Sequence, residues 1–388
     1  MPNFALCSLP EPIALINKAC LTVDELPLPL LEAAKLLQQG LPNDAIVTIR
    51  DARPATPELP WGWIISVTAF CRLGDFKSAY KVAQRGLKII GNNTYLLDCM
   101  GVAYFVLKDF ANAEVSFLNA IQTDIHNINA IVNLANVFIS QNLPDKAFET
   151  LQKGFNQNPL SLEIKSLYSA LHPNWIQPLL GGRLRLRMLC STDEDFLARC
   201  FSNQEFMNNY HRFAAINQTR QHIQDTLKQN TRYSILRQKK IHWIIEQTNH
   251  SVHEQGNYQP IGLASLVDIQ LNYQRAELLI GFPNPLHRGQ GIPLTAMLLV
   301  LDFAFNHIGF NKLISIVYGD NQHSERSTIA LGFTQEGFRP DHLRDLQTGE
   351  FLSIYENGLL QRDFRANSRL SRLSVRLLGF DITRPKSR

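Results

Sequence analysis

Gly281-Phe282-Pro283-Asn284-Pro285-Leu286-His287-Arg288-Gly289-Gln290-Gly291-Ile292 ends one apolar run and opens another. Before it, residues 275–282 read as a strand. After it come an apolar helix pattern over 294–308, a short strand pattern over 312–317, Asp320-Asn321-Gln322-His323-Ser324, and Leu331-Gly332-Phe333. Glycines let the backbone take positive φ and come close to a ligand. A helix that starts at such a turn presents unpaired N–H groups and the positive end of its dipole. Together these make a site for a pyrophosphate, and Arg288 adds a charge-assisted donor. Taken alone, the same turn also reads as an ordinary strand-to-helix loop.

The order of segments adds to the turn. Strand, Arg-Gly-x-Gly, helix, strand, Asn-x-x-Ser, helix and Gly-Phe resemble the GNAT superfamily of acyl-CoA-dependent N-acyltransferases. The run Asn321, Ser324, Gly332, Phe333, Glu336, Gly337 is most similar to the branch containing ribosomal-protein N-terminal acetyltransferases. The resemblance covers residues 183–360. It implies a mixed, largely antiparallel sheet flanked by helices, with acetyl-CoA as co-substrate in a cleft where 275–282 and 312–317 splay apart. It implies backbone contacts to acetyl-CoA from Gly281 and Phe282. The turn Arg288-Gly289-Gln290-Gly291-Ile292 would hold the pyrophosphate, and Asn321 would bind the co-substrate too. Glu277 and Glu336 are the candidate bases, Ser324 the candidate proton donor to the leaving thiolate. Each of the two carboxylates also reads as structural or solvated, and Ser324 as part of a helix cap. The sequence departs from the family pattern at three places. Thr328 stands where many members have a tyrosine; Pro293 and Pro283 each remove an N–H from stretches that should grip the ligand.

Working outward, residues 183–189 alternate arginine with apolar residues, a strand pattern whose basic stripe reads as a solvated face. Residues 192–201 and 203–230 read as helix, and 241–246, 260–269 and 275–282 as successive strands. Beyond Phe333, residues 334–339 and 351–356 read as the last two strands. The segment 361–388 is a basic tail. Arg365, Arg369, Arg372 and Arg376 fall on one helical face, either solvated and packed by Leu370, Leu373, Leu377 and Leu378, or offered to a membrane or an acidic partner.

The N-terminal half carries a repeat. Ala45, Ala79, Ala113 and Ala147 recur every 34 residues, as do Pro57, Gly91, Ile125 and Pro159, then Phe70, Tyr104 and Phe138, and Trp63, Leu97 and Ile131. That is the tetratricopeptide (TPR) period; a generic helical bundle with accidental spacing is the alternative. The expected organisation is a lead-in over 1–29, a TPR-like all-α solenoid over 30–172 with full units at 60–93, 94–127 and 128–161, and a linker over 173–182 containing Pro173, Pro178, Gly181 and Gly182. An acyltransferase domain over 183–360 and the tail follow.

Composition sets bounds. At 388 residues the chain allows about two or three domains. A net charge of +4 is small for that length and argues against a nucleic-acid partner, which calls for a clustered basic face. Cys7, Cys20, Cys71, Cys99, Cys190 and Cys200 are scattered with no metal-type spacing, so no metal is expected and the thiols read as reduced and cytoplasmic. No apolar run is long enough to span a membrane. Two functions follow. One is an acetyl-CoA-dependent N-acetyltransferase acting on a primary amine (protein N-terminus, lysine, amino sugar or small amine), with the TPR domain docking a protein partner. The other is a non-enzymatic TPR scaffold with a degenerate GNAT domain.

Overall fold

A computed structural model describes all residues except 1–8, 10, 19–26, 56, 213–218, 249–257, 290, 346–347 and 386–388. The chain divides into two compact units, Met1–Tyr168 and Ser169–Arg388.

Among the described residues the first unit has helices and no strand: α1 Pro12–Lys18, α2 Leu28–Gln38, α3 Pro42–Ala55, α4 Pro60–Arg72, α5 Phe76–Ile90, α6 Thr94–Val106, α7 Phe110–Thr123, α8 Ile128–Ser140 and α9 Pro144–Gln157, followed by α10 Leu162–Ala170. The helices α4, α6 and α8 start at 60, 94 and 128; α5, α7 and α9 start at 76, 110 and 144. Both series step by the same 34 residues as the small and aromatic residues do. The turn inside each pair places Gly74, Lys108 and Asn142 in the left-handed region (φ 77°, 62° and 62°). Asp75 and Asp109 then cap the second helix through the backbone N–H of Ser78 and Asn112. Small residues sit where helices meet: a Cβ on Gly154 would lie 2.5 Å from the Ile131 Cγ2 methyl.

The second unit is built on an eight-stranded sheet among the described residues: β1 Leu179–Gly181, β2 Leu184–Met188, β3 Ile241–Gln247, β4 Gln259–Gln270, β5 Arg275–Gly281, β6 Lys312–Tyr318, β7 Thr334–Arg344 and β8 Phe351–Leu360, in the order β1-β2-β3-β4-β5-β6-β8-β7. Neighbours are antiparallel except β5 and β6, which run parallel. The helices α11 Glu194–Ser202, α12 Gln204–Tyr210 and α13 Arg220–Gln229 supply one apolar cluster, with Leu279 packed against it. After α14 Ser234–Arg237, α15 Ile292–Asp302 supplies the larger cluster, together with Ala276 and Leu278 of β5. Strand alternation sends neighbouring β5 side chains to opposite faces, so each cluster takes every second residue. The remaining helices are α16 Gln322–Ala330, α17 Gln361–Ala366 and α18 Ser368–Leu378.

Three sequence-based expectations need correction. Residues 173–182 are not a linker. Pro173–Trp175 form a 3-10 turn that sends Trp175 into the core against Phe303, with ring centroids 5.0 Å apart, and β1 makes a hairpin with β2. The prolines and glycines are turn-formers in both readings; the indole is too large an apolar surface to leave in water. The arginine stripe of β2 is not a solvated face either. Arg185 and Arg187 both bind the buried Glu246 carboxylate, at 2.7 and 2.9 Å, and Arg187 binds Asp193 as well. Finally, the described part of 361–388 is not a separate tail. Phe364, Leu370 and Ile382 are buried in the main core. The helix breaks at Asn367, which caps α18 through the Leu370 N–H, so the four arginines do not share a face. Arg365 instead binds the Asn306 side chain and the carbonyls of Phe305, Ile382 and Thr383.

Candidate active site

The strands β5 and β6 pair only from Arg275↔Lys312 to Glu277↔Ile314, then part. On its other side β5 stays paired with β4 as far as Gly281. The edge of β5 over 278–281 therefore faces a gap instead of a strand. Backbone N–H and C=O groups without partners demand one, so this edge is equipped to hold an extended, amide-bearing ligand by strand-like hydrogen bonds.

The gap opens into a cleft of about 720 Å³. Its floor comes from Ile280, Gly281 and Phe282; one wall is the glycine turn with Pro293, Leu294 and Met297; the other is α16, with Asn321, Ser324, Ser327 and Thr328. Gly291 is the N-cap of α15 at φ 74°, a left-handed conformation that favours glycine. The Ile292 N–H turns to the Gly289 carbonyl (3.2 Å), and Pro293 at the second helical position has none. Two of the helix's first donors are thus unavailable to a phosphate. The Asn321 Oδ1 accepts from the Ser324 N–H (3.1 Å), so Asn321 caps α16. The Ser324 hydroxyl has no hydrogen bond among the described residues and faces the cleft.

Of the residues singled out from the sequence, Gly281, Phe282, Arg288, Gly289, Gly291, Asn321 and Ser324 line this one cleft. Gln290 lies outside the described residues. The Ile292 side chain does not line the cleft; it is drawn into the core beneath α15, because at the first helical position its apolar surface faces the sheet. Arg288 is partly occupied: Nη1 binds Glu205 at 2.8 Å and Nε the Phe282 carbonyl at 3.3 Å.

The two carboxylates separate. Glu277 occupies the last paired position before β5 and β6 part. Strand alternation places it on the Leu279 face, opposite α15. Burial, aided by the Asp268 charge, pushes its carboxyl up from 4.5 to about 7. On β6 the register puts Ile314 and Tyr318 on that same face. The Tyr318 hydroxyl accepts from the Arg212 N–H (3.2 Å). Burial raises the pKa of that phenol. Glu336, by contrast, is bound to Lys312 at 2.6 Å, at the closed end of the β5–β6 pair, and lies over Gly358. Neither Glu277 nor Glu336 is among the residues that line the cleft; Glu277 stands where β5 and β6 part, whereas the bulge that β7 makes between Gln335 and Gly337 sets Glu336 beside that lysine.

Sequence reasoning missed two contributors. The first is α12, whose Phe206 and Tyr210 stack at 5.0 Å and cover Gly281. The Tyr210 hydroxyl is bound to Ser265 (2.6 Å), and that serine to His242 Nδ1 (2.6 Å), which ties α12 to β3 and β4. Burial lowers His242 to about 3, so it stays neutral. The second is α18, which lends Arg369, Leu373 and Arg376. Their spacing of four and three residues, one helical stripe, was legible; that the stripe faced a cleft was not.

Part of the chain is similar to known proteins. The model of the acetyltransferase (GNAT) domain family matches residues 183–334. The uncharacterized N-acetyltransferase YoaA of Bacillus subtilis (strain 168) is 26% identical over 176 residues, which is 45% of this chain and 92% of that protein. Spermidine N-acetyltransferase from Vibrio cholerae, solved with CoA and spermine, aligns at 22% identity and a TM-score of 0.40, covering 47% of this chain and 97% of that one. A dodecameric structure of the same enzyme aligns at 21% identity and a TM-score of 0.38, covering 47% and 96%. Residues 183–334 are a GNAT acetyltransferase domain, and the chain is an acyl-CoA-dependent N-acetyltransferase with acetyl-CoA as its co-substrate.

Proposed function

We propose that the cleft between β5 and β6 binds acetyl-CoA and passes its acetyl group to a primary amine approaching from the Glu277 face. The observation that carries this reading is the parting of β5 and β6 beyond Glu277, which leaves the 278–281 edge free beside the Gly289–Gly291 turn. The edge N–H groups hold the pantetheine arm and polarise the thioester carbonyl, an oxyanion-hole task. Pro283 contributes no N–H, so the grip falls to Gly281 and Phe282. Glu277, with a carboxyl near 7, takes the proton from the attacking ammonium directly or through water. The amine then attacks the carbonyl carbon. As the tetrahedral intermediate collapses, the C–S bond breaks, the Ser324 hydroxyl protonates the departing thiolate, and the serine oxygen regains a proton from the cationic nitrogen, directly or through water, which leaves the neutral amide.

The acceptor belongs to one of four classes: a protein N-terminus, a lysine, an amino sugar or a small amine. The 34-residue step of helix starts supports a TPR-type role for the N-terminal unit, docking a protein that carries or presents the acceptor. Chains lacking residues 1–168 that acetylate such an acceptor as fast as the full chain would refute that role.

Thermal unfolding with acetyl-CoA tests the cleft assignment. A ligand at one hundred times its Kd adds ~2.7 kcal/mol. Wild type should melt higher with acetyl-CoA and Gly291→Asp should not, because the new carboxylate blocks and repels the phosphates. No shift in wild type at millimolar acetyl-CoA would overturn the assignment.

A further inference from the structure

The cleft is lined by three arginines, Arg288, Arg369 and Arg376, and by no carboxylate among the described residues. Such a rim is built for anions. The three are not equally available. Arg288 is held by Glu205 and by the Phe282 carbonyl. Arg369 and Arg376 have no hydrogen bond or ion pair among the described residues. The same C-terminal segment shows the contrast, since Arg365 is fully committed to protein acceptors. One arginine thus holds the fold and two are left facing the cleft.

Position supports a ligand role. Both lie on α18, beyond residue 334, where the family match ends. One end of α18 is fastened to α16, where Asn367 Nδ2 donates to the Leu331 carbonyl at 3.4 Å. The other end reaches the glycine turn, where Leu377 Cδ2 lies 3.8 Å from the place a Gly291 Cβ would take. The helix thus spans the phosphate end of the cleft from wall to wall. Arg369 and Arg376 stand two turns apart on it, about 10 Å along the axis, with Leu373 between them.

A charge count then assigns the pair. The co-substrate presents two separate anionic groups, a pyrophosphate and a 3′-phosphate carrying about −1.5 to −2 as phosphate monoesters do. The turn and the start of α15 address the first, though with two donors missing. The uncommitted guanidinium groups are left for the second. We propose that Arg369 and Arg376 bind the 3′-phosphate of acetyl-CoA, so that a helix outside the matched domain makes the enzyme select CoA over its 3′-dephospho form. This rests on the cleft being the acetyl-CoA site.

The experiment titrates the full chain calorimetrically with acetyl-CoA and with 3′-dephospho-acetyl-CoA, for wild type and for the double variant Arg369→Gln, Arg376→Gln. Both side chains are exposed and the buried Leu370 is untouched, so the variant should fold; circular dichroism checks it. If it does not fold, the single variants Arg369→Lys and Arg376→Lys replace it, since a lone ammonium cannot form the bidentate contact. Wild type should prefer acetyl-CoA by about tenfold or more, a preference that shrinks with added salt. In the double variant the ratio should fall to within about twofold of unity, while affinity for the dephospho form changes little; in the lysine variants it should fall only in part. A variant that loses affinity for both ligands equally, with the ratio intact, would place the arginines on the pyrophosphate and overturn the proposal. A wild type without preference also overturns it while leaving the cleft assignment standing. A wild type that binds neither ligand overturns both.

Discussion

Glu277 shows how a single buried side chain ties chemistry to stability. Its folded pKa is raised from 4.5 to about 7. A raised value means that the folded state holds the proton more tightly than the unfolded chain does. The associated stability is complete below about 4.5 and is lost as pH rises through about 7. Activity runs the other way, because only the carboxylate can accept a proton. Wild-type kcat/KM should therefore climb with pH through about 7. In Glu277→Gln the rate should drop by ~10²-fold, and the variant should melt above wild type at pH 8. A flat wild-type profile between pH 6 and 8 would sink the assignment. Glu336→Gln is the control: its exposed pair with Lys312 is worth about 0–1 kcal/mol and the rate should not change. Ser324→Ala is a clean substitution, because the Asn321 cap uses the serine's backbone N–H, which alanine keeps. It should lower kcat by ~10²-fold and leave acetyl-CoA affinity unchanged. Full kcat on the true acceptor would mean that the thiolate leaves unaided. Which residues lie in the cleft was legible where a motif names them. Glu277 and Glu336 looked equivalent in the sequence, and only the strand register separated the strand vertex from a lysine pair.

At the level of elements, the N-terminal turns offer a test of the repeat. Gly74, Lys108 and Asn142 occupy the same left-handed position in successive helix pairs. Glycine takes that conformation without a Cβ penalty, whereas an ordinary residue is strained by about 1–2 kcal/mol. Part of that gain is offset by the freedom glycine has in the unfolded chain. Lys108→Gly should therefore stabilise the helical unit by about 0.5–1 kcal/mol, read as a higher denaturant midpoint with an unchanged slope. A lower midpoint would show that the lysine makes contacts that outweigh its strain. Helices and strands with clear periodicity were readable because every apolar residue repeats the same instruction. The hairpin strand β1, three residues long, carries too few residues to show a period, and its prolines and glycines resemble those of a linker.

For the molecule as a whole, the C-terminal segment is the decisive case. Phe364, Leu370 and Ile382 are each 0% exposed within the core of the second unit. Burying side chains of this size is worth ~1.5–3 kcal/mol each, and a domain's entire margin is about 5–15 kcal/mol. A chain ending at Leu360 should lose most of that margin and be recovered aggregated or molten, even though it retains every residue of the family match. A soluble truncated chain with native melting and undiminished acetyl-CoA binding would show that α17 and α18 are accessory.

By itself the sequence determined two things about this protein: its helical repeat, because 34-residue spacing is written at several positions at once, and its glycine turn with the elements on either side, because glycine, arginine and capping residues act over a few neighbours. Local chemistry needs only local neighbours. Tertiary structure alone decided which carboxylate stands at the parting strands, that the arginines of β2 neutralise a buried glutamate, and that the helix Ser368–Leu378 lines the cleft. Those outcomes depend on residues tens to hundreds of positions apart meeting in space, and no period or motif in the sequence records the meeting.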